Sequence, residues 1–117
     1  MDIAIACGGT GGHIFPGLAV AEILVGRGHE VTLWLAGKDI ESEALNDWSG
    51  HVETVPSRGF QGRNIFKHLQ TLFTLVKVVR TCRRKMKGNP PDVMLAMGSY
   101  ASIGPALAAH GLKVPLI

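Results

Sequence analysis

The sequence predicts one α/β domain over residues 1–117, with helices on both faces of a doubly wound parallel sheet. The first observation is that short apolar runs alternate with helical patterns along the whole chain, as in β-α-β units. The second is composition, since 46% of the residues are apolar, 18% are charged and only 6% are aromatic. Chains of this kind are not disordered, and buried parallel strands with their covering helices are typically aliphatic.

In the first half of the chain, each predicted strand is a short apolar run that ends at a loop. Pro16 suits the start of a helix, and Gly28 suits the residue that caps its end. Strands are predicted over residues 2–7, 30–36 and 52–55, and helices over residues 16–27 and 41–48.

The second half is dominated by one long helical pattern, which Gly88 and the Pro90-Pro91 pair terminate. A strand, a loop with glycines and a short helix beginning at Pro105 follow it. The predicted helices span residues 65–87 and 105–110, and the predicted strands span residues 92–97 and 114–117. Because the last strand runs up to Ile117, we expect the sequence to be part of a longer protein.

This order of elements predicts right-handed crossovers and the strand order 3-2-1-4-5. The first and fourth strands are then neighbours, and their carboxyl ends form the switch point at which such sheets bind ligands. The loops at that point are residues 8–13 and 98–102. The element order therefore predicts a binding site there without reference to what the loops contain.

The first of these loops, Gly8–His13, contains four glycines between a strand and a helix. Glycine lets a ligand approach the backbone closely, and the free amides of a helix start attract anions. The loop therefore predicts a site for a phosphate-bearing ligand, the alternative being a tight turn without a ligand. A nicotinamide site is disfavoured because its fingerprint needs glycine where Ile14 stands, and no Lys-Ser/Thr pair completes a P-loop.

Two further features at this point have chemical potential. His13 has a side chain that titrates near neutral pH, so it is either a general base for an attacking hydroxyl or a group that binds the phosphate. The second loop, 98–102, offers three hydroxyls that would complete a diphosphate cradle, unless it is an ordinary strand-to-helix turn.

Positive charge is concentrated between residues 54 and 91, where nine basic residues occur and no acidic one. In the long helix, the spacing predicts that five residues face the sheet: Ile65, Leu69, Leu72, Val76 and Val79. Further apolar residues beside lysines and arginines favour contact with an anionic membrane, the alternative being a broad buried face with a solvated charge run. Nucleic acid is disfavoured, because no aromatic stacking array accompanies the charge.

The remaining composition gives two exclusions. Cys7 and Cys82 are predicted to be buried reduced thiols, because they lack metal-site spacing and no secretory signal is present. Residues 93–112 contain no Lys, Arg, Asp or Glu, but glycines, serines and Pro105 interrupt this stretch, so we expect no transmembrane helix.

Residues Gly8–His13, followed by Phe15-Pro16-Gly17-Leu18-Ala19, closely resemble the start of the peptidoglycan N-acetylglucosaminyltransferases in glycosyltransferase family 28. Three further stretches fit the same family: Glu41-Ser42, Gly59-Phe60-Gln61-Gly62-Arg63, and Pro91-Asp92-Val93 leading to Gly98-Ser99-Tyr100. The resemblance covers essentially the whole chain.

The resemblance implies a Rossmann-like domain that is the N-terminal, acceptor-binding half of a GT-B enzyme, with the donor-binding domain outside these residues. The implied reaction is an inverting transfer of GlcNAc from UDP-GlcNAc to the muramoyl 4-hydroxyl of undecaprenyl-diphospho-muramoylpentapeptide, which converts lipid I to lipid II in peptidoglycan synthesis. No metal and no other cofactor is implied. The chain alone is expected to be inactive and to lie on the cytoplasmic face of the inner membrane.

The residues that the resemblance assigns fall into three groups. His13 is the candidate base. The acceptor diphosphate is assigned to Gly9, Thr10, Gly11, Gly12, Gly98, Ser99, Tyr100 and Ser102. The membrane-facing candidates are Phe66, Lys67, Phe73, Lys77 and Arg80. Three alternative functions are a membrane-anchoring subunit of a split lipid-linked-sugar transferase, a diacylglycerol glycosyltransferase and a nucleic-acid-binding module.

Overall fold

A computed structural model describes residues 1–8, 11–36, 43–55, 65–98 and 100–117 of the chain. Its strands are β1 (Asp2–Ala6), β2 (Glu30–Ala36), β3 (His51–Val55) and β4 (Val93–Ala96). Its helices are α1 (Gly11–Gly26), α2 (Ile65–Lys87) and α3 (Tyr100–Gly111), with a 3₁₀ helix at Glu43–Leu45. The helix predicted over 41–48 is therefore shorter than expected within the part described.

The four strands form one parallel sheet in the order β3-β2-β1-β4, which confirms the predicted order for these strands. The predicted fifth strand is only a parallel bridge between Leu116 and Met94, on the outer side of β4. The amide of Ile117 donates to the Met94 carbonyl at 2.9 Å. Pro115 has no amide hydrogen to add to this ladder, which helps to explain why the pairing is so short.

The sheet has a hydrophobic core on each face. α1 covers one core, and the buried residues there are Ile3, Ile5, Cys7, Ile14, Leu18, Ala21, Val31, Leu33 and Leu35. α2 and α3 cover the other, whose buried residues are Ala4, Ala6, Trp34, Val55, Cys82, Met86, Met94, Ala108, Ala109 and Val114. Strand residues alternate between the two lists because successive side chains of a strand point to opposite faces. The doubly wound arrangement is confirmed.

Two helices begin five residues earlier than the sequence predicted. α1 begins at Gly11 instead of Pro16, and α3 begins at Tyr100 instead of Pro105. A proline lacks its own amide hydrogen, and its ring crowds the carbonyl four residues earlier, which at this sixth helical position belongs to the second residue of the helix. The first turn of each helix can therefore form ahead of the proline, and the prediction that proline marks the start was wrong.

α2 turns a different face to the sheet from the one predicted. Leu72 and Val76 are 59% and 49% exposed, so the prediction that they face the sheet is wrong. Cys82 and Met86 are buried instead, with Val79 packed against the same core as predicted. The side chains of Ile65 and Leu69 lie outside the described residues.

The packing of α3 explains this choice of face. A Cβ atom built on Gly104 of α3 would lie 2.5 Å from Cγ1 of Val78 and 3.8 Å from Sγ of Cys82. The absence of a side chain at Gly104 therefore lets α2 approach α3 through Val78 and Cys82. Leu72 and Val76 lie outside this contact and are exposed.

Both cysteines are buried, as predicted, and no disulfide joins them. Burial raises the pKa of the Cys82 thiol to about 11, an effect that the positive charge of Lys85 partly opposes. A buried neutral thiol of this kind is a small apolar packing group and a poor nucleophile.

Candidate functional site

The candidate site lies where β1 and β4 end side by side. These parallel strands are paired from Ile3 with Val93 to Ala6 with Ala96, so their carboxyl ends are at the same level. α1 begins shortly after the end of β1, and α3 begins shortly after the end of β4. The described ends of the two loops that element order predicted to meet, Gly8 with Gly11 and Gly98 with Tyr100, therefore lie at one edge of the sheet.

The starts of α1 and α3 supply backbone donors at this edge. The first amide groups of a helix have no helical acceptor, and the helix dipole gives this end a partial positive charge. Gly11, Gly12 and His13 form the first turn of α1, and neither α1 nor α3 has an acidic residue in its first turn. Two helix starts that follow adjacent strand ends, without carboxylates in their first turns, favour the binding of an anion with more than one charge.

Gly98 is the residue at which the chain leaves β4 for this site. Its φ is +100°, a backbone conformation that residues with a Cβ atom rarely adopt. The amide of Met97, the residue before it, donates to the Ala6 carbonyl at 2.9 Å. The glycine therefore allows a sharp turn immediately after this hydrogen bond between β1 and the end of β4.

Ser102 is a buried polar residue of the first turns of α3, with 4% of its surface exposed. Its Oγ donates to the carbonyl of Ala6 at 3.0 Å and makes a second short contact with the carbonyl of Gly98. The sequence predicted a direct contact of this hydroxyl with a ligand. In the structure, the hydroxyl is engaged by the backbone of the two strand ends.

Several predicted site residues, or their side chains, fall outside the part of the chain that the structure describes. Gly9, Thr10 and Ser99 lie outside the described residues, as do the side chains of His13 and Tyr100. Of the predicted diphosphate group, the structure thus brings together the backbone of Gly11, Gly12, Gly98, Tyr100 and Ser102 at one edge of the sheet.

A second candidate surface is the outer side of α2. Phe73 is 70% exposed, and the neighbouring Leu72 and Val76 are also exposed. Lys77 and Arg80 are exposed on the same side, because residues three or four apart share one face of a helix. We call the five residues Leu72, Phe73, Val76, Lys77 and Arg80 the α2 outer face. The side chains of Phe66 and Lys67 lie outside the described residues.

Basic residues near the end of α2 divide into two groups. Arg83, Arg84 and Lys87 are exposed and continue the α2 outer face by helical spacing. Lys85 turns the other way, where its Nζ donates to the Thr54 carbonyl at 2.8 Å and lies 3.6 Å from a carboxylate oxygen of Glu53. The sequence placed Lys85 in the same basic cluster, and only the structure separates it.

A cavity of about 250 Å³ lies at the opposite end of the sheet from the glycine loops. It is lined by the first residues of strands, among them Asp2, Glu30 and His51. Ligands of doubly wound sheets bind at the carboxyl ends of the strands, so this cavity is not the candidate site. Within the described residues, no helix is long and apolar enough to cross a membrane, and no group of three His, Cys, Asp or Glu side chains could hold a metal ion.

Comparison with known proteins gives a family match over nearly the whole chain. The N-terminal domain of glycosyltransferase family 28 matches residues 3–117. Two similar curated proteins are the UDP-N-acetylglucosamine–N-acetylmuramyl-(pentapeptide) pyrophosphoryl-undecaprenol N-acetylglucosamine transferases of Neisseria gonorrhoeae and Colwellia psychrerythraea, which are 38% and 37% identical. The alignments cover 97% and 98% of this chain but 32% and 30% of those proteins. The chain thus spans about a third of their length.

Solved structures show the same fold. The crystal structure of Acinetobacter baumannii MurG matches with a TM-score of 0.82 and 29% identity, over 98% of this chain and 34% of that one. The calicheamicin glycosyltransferase CalG4 matches with a TM-score of 0.66 and 21% identity, over 98% of this chain and 31% of that one. The second likeness is evidence for the fold alone.

Proposed function

Because the chain belongs to glycosyltransferase family 28, as its N-terminal domain, we propose that it is the acceptor-binding domain of an inverting N-acetylglucosaminyltransferase. The acceptor is a muramoylpentapeptide joined through a diphosphate to undecaprenol, and the donor is UDP-GlcNAc. The product is the disaccharide lipid used in peptidoglycan synthesis. The printed name of the curated relatives describes this transfer, and the chain spans the first third of such a protein.

The observation that supports this function most directly is the pair of helix starts at the switch point. α1 and α3 begin at adjacent strand ends, and neither first turn contains a carboxylate. A diphosphate has two phosphoryl groups, so it can accept hydrogen bonds from both helix starts at once. In the proposal, the loop of Gly9, Thr10, Gly11 and Gly12 binds one side, and the loop of Gly98, Ser99 and Tyr100 binds the other.

His13 is the proposed general base. The muramoyl 4-hydroxyl attacks the anomeric carbon of GlcNAc, a carbon–oxygen bond forms, and the bond from that carbon to UDP breaks with its electrons leaving on UDP. The proton of the attacking hydroxyl passes to a neutral imidazole, the side chain that most often acts as a general base. Attack from the side opposite UDP inverts the anomeric centre. UDP-GlcNAc itself is proposed to bind mainly outside this domain.

The α2 outer face is proposed to hold the domain on the cytoplasmic surface of the inner membrane. Its exposed apolar residues, Leu72, Phe73 and Val76, enter the headgroup boundary, while Lys77 and Arg80 attract anionic lipids. A lipid-linked acceptor remains in the membrane by its undecaprenyl chain. A domain that rests on that surface therefore meets the diphosphate where it leaves the lipid.

The proposal is tested by titrating the isotope-labelled 117-residue chain and following its backbone amides. A muramoyl diphosphate with a short prenyl chain should shift the amides of Gly8, Gly11, Gly12 and Gly98. UDP-GlcNAc should shift them little, because its site lies mainly outside the domain. The imidazole signals of His13 should move with the diphosphate, and those of the exposed His110, near the far end of α3, should stay in place.

Opposite results would contradict the proposal. If UDP-GlcNAc shifts these amides strongly and the diphosphate lipid does not, the domain binds the donor and the assignment is wrong. If His13 does not respond while the glycine amides do, His13 is not beside the diphosphate, and the proposed base must be sought elsewhere.

A further inference from the structure

Ser102 connects the two strand ends at the candidate site through its side chain. Its Oγ lies 3.0 Å from the carbonyl oxygen of Ala6, the last residue of β1, and also contacts the carbonyl of Gly98, which follows β4. A serine hydroxyl has one hydrogen, so the two carbonyls share a single donor. The contact with Gly98 spans four residues around the start of α3, and the contact with Ala6 spans 96 residues of sequence.

The hydrogen bonds around Ser102 show what its hydroxyl adds where β1 and β4 end. The Ala6 carbonyl also accepts the amide of Met97 at 2.9 Å, a hydrogen bond between β1 and the residue that follows β4. Beyond that bond the chain turns at Gly98, whose φ is +100°, and enters α3. Ser102 is thus the group that joins the start of α3 directly to the end of β1, within the residues described.

We propose that Ser102 is a positioning residue, which holds the start of α3 at a fixed distance from the end of β1 and so presets the span of the diphosphate site. The residue does this through the Ala6 and Gly98 carbonyls, without touching the ligand. The link to ligand affinity rests on the proposed function, whereas the link between the strand ends does not. Sequence pattern alone predicts a direct contact of Ser102 with the ligand, because spacing does not show that its hydroxyl is buried against these carbonyls.

The Ser102 hydroxyl holds the start of α3 against the carbonyls of Ala6 and Gly98. When the Ser102 hydroxyl is removed, the Ala6 carbonyl loses the hydrogen bond that holds it at a fixed distance from α3. Ser102→Ala removes one oxygen and leaves no large cavity, so the fold should persist while α3 gains freedom relative to β1. A site that needs both helix starts at once then binds a rigid two-phosphoryl ligand less well, because part of the binding free energy is used to restore the spacing.

The first arm of the test uses the ligand-free chain. Amide hydrogen exchange is measured at Met97, which bonds to Ala6, and at Leu33, which is fully buried in β2. In Ser102→Ala, exchange at Met97 should rise at least threefold relative to Leu33. Cys82→Ala is the matched control, because Cys82 lies in the core beneath α3 and makes no contact with the strand ends through a hydrogen bond. It should lower stability without changing the ratio.

The second arm measures the affinity of the same variants for inorganic pyrophosphate. Ser102→Ala should weaken binding about three- to tenfold, the loss expected for one hydrogen bond. Cys82→Ala and the surface variant Ser49→Ala should bind as the unchanged chain does. An equal loss in Cys82→Ala would mean that affinity follows overall stability, and the positioning role would be overturned.

The two arms separate this inference from the proposed function. If the unchanged chain fails to bind pyrophosphate and the diphosphate lipid, the proposed function fails, but the exchange ratio still decides whether Ser102 links the strand ends. An unchanged ratio in Ser102→Ala overturns the inference whatever the chain binds. A raised ratio with unchanged affinity overturns the statement that this link sets the span of the site.

Discussion

The contact between α2 and α3 leads to a quantitative prediction about Gly104. A methyl group at this position would lie 2.5 Å from Cγ1 of Val78. Carbon atoms in contact prefer about 3.5–4.0 Å, so the two groups cannot both stay in place. Valine in a helix has essentially one favoured χ1 rotamer, and Cγ1 therefore cannot rotate away without strain. Gly104→Ala must push the two helices apart or force Val78 from its rotamer.

The expected size follows from two opposing terms. Alanine in place of glycine favours a helix by about 1 kcal/mol. Overpacking a well-packed interface costs about 1–3 kcal/mol, and a contact as short as this belongs near the upper end of that range. We therefore expect Gly104→Ala to lower the free energy of unfolding by about 2 kcal/mol. Urea unfolding followed by the fluorescence of Trp34, which is buried in the same core, measures this change.

Two further variants isolate the cause. Gly26→Ala, at the end of α1, is the matched control, because a Cβ atom there meets nothing within 4 Å and should stabilise the chain slightly. Val78→Ala removes Cγ1 and leaves the Cβ atom at 3.7 Å from the new methyl group, an ordinary contact. In that background Gly104→Ala should be neutral or stabilising. If Gly104→Ala destabilises equally with Val78 present and absent, the packing argument is refuted.

Three other predictions concern the site, the α2 outer face and the buried thiol. Gly98→Ala should cost about 1 kcal/mol in urea unfolding, because its φ of +100° disfavours a Cβ atom. Reversing the charge of Lys77 and Arg80 to glutamate should lower binding to vesicles of anionic lipid more than tenfold in a sedimentation assay, since each cation contributes about 1 kcal/mol. The Cys82 thiol, with its pKa raised to about 11, should make the chain lose about 2 kcal/mol of stability between pH 9 and pH 11.

Stability falls between pH 9 and pH 11 because the folded state keeps the Cys82 thiol proton to a higher pH than the unfolded state does. Above pH 9 the unfolded thiol is deprotonated, while the folded one stays protonated until about pH 11, so stability falls across this window. Cys82→Ala should lack this part of the loss, and a pH dependence identical to that of the unchanged chain would contradict it. The other two predictions have matched controls as well. Gly88→Ala is the control for Gly98→Ala, because a Cβ atom at Gly88 meets nothing within 4 Å. Arg27→Glu, just after α1, is the control for the charge reversal on α2. Neither should reproduce the effect of its partner variant.

Most of the fold was predictable because its signals are local and periodic. The apolar runs at 2–7 and 30–36 became β1 and β2 within a residue at their ends, and the element order alone gave the neighbours of β1. The helix starts were wrong for one identifiable reason, the weight given to Pro16 and Pro105. Proline shows where an amide hydrogen is missing, but the sequence does not show whether a helical turn already precedes it.

The site was predictable as a place but not as a set of contacts. Two glycine loops after neighbouring parallel strands must lie at one edge of the sheet, and the structure brings Gly11 and Gly98 there. The role of the Ser102 hydroxyl depends on the distance to a carbonyl 96 residues earlier in the chain. No spacing rule contains that distance, so the sequence could not indicate these backbone contacts, and the contact of Ser102 with the ligand stays a prediction.

The outer face of α2 shows how packing decides between two patterns that the sequence contains equally. Leu72 and Val76 follow helical spacing as well as Val78 and Cys82 do, and periodicity alone allows either pair to face the sheet. The small residue Gly104 on the neighbouring helix decides, because only the side with Val78 can approach it closely. The apolar pair left outside then lies beside the basic residues of the same face. The exposed apolar surface that the proposed membrane contact needs is therefore a consequence of how α2 packs on α3.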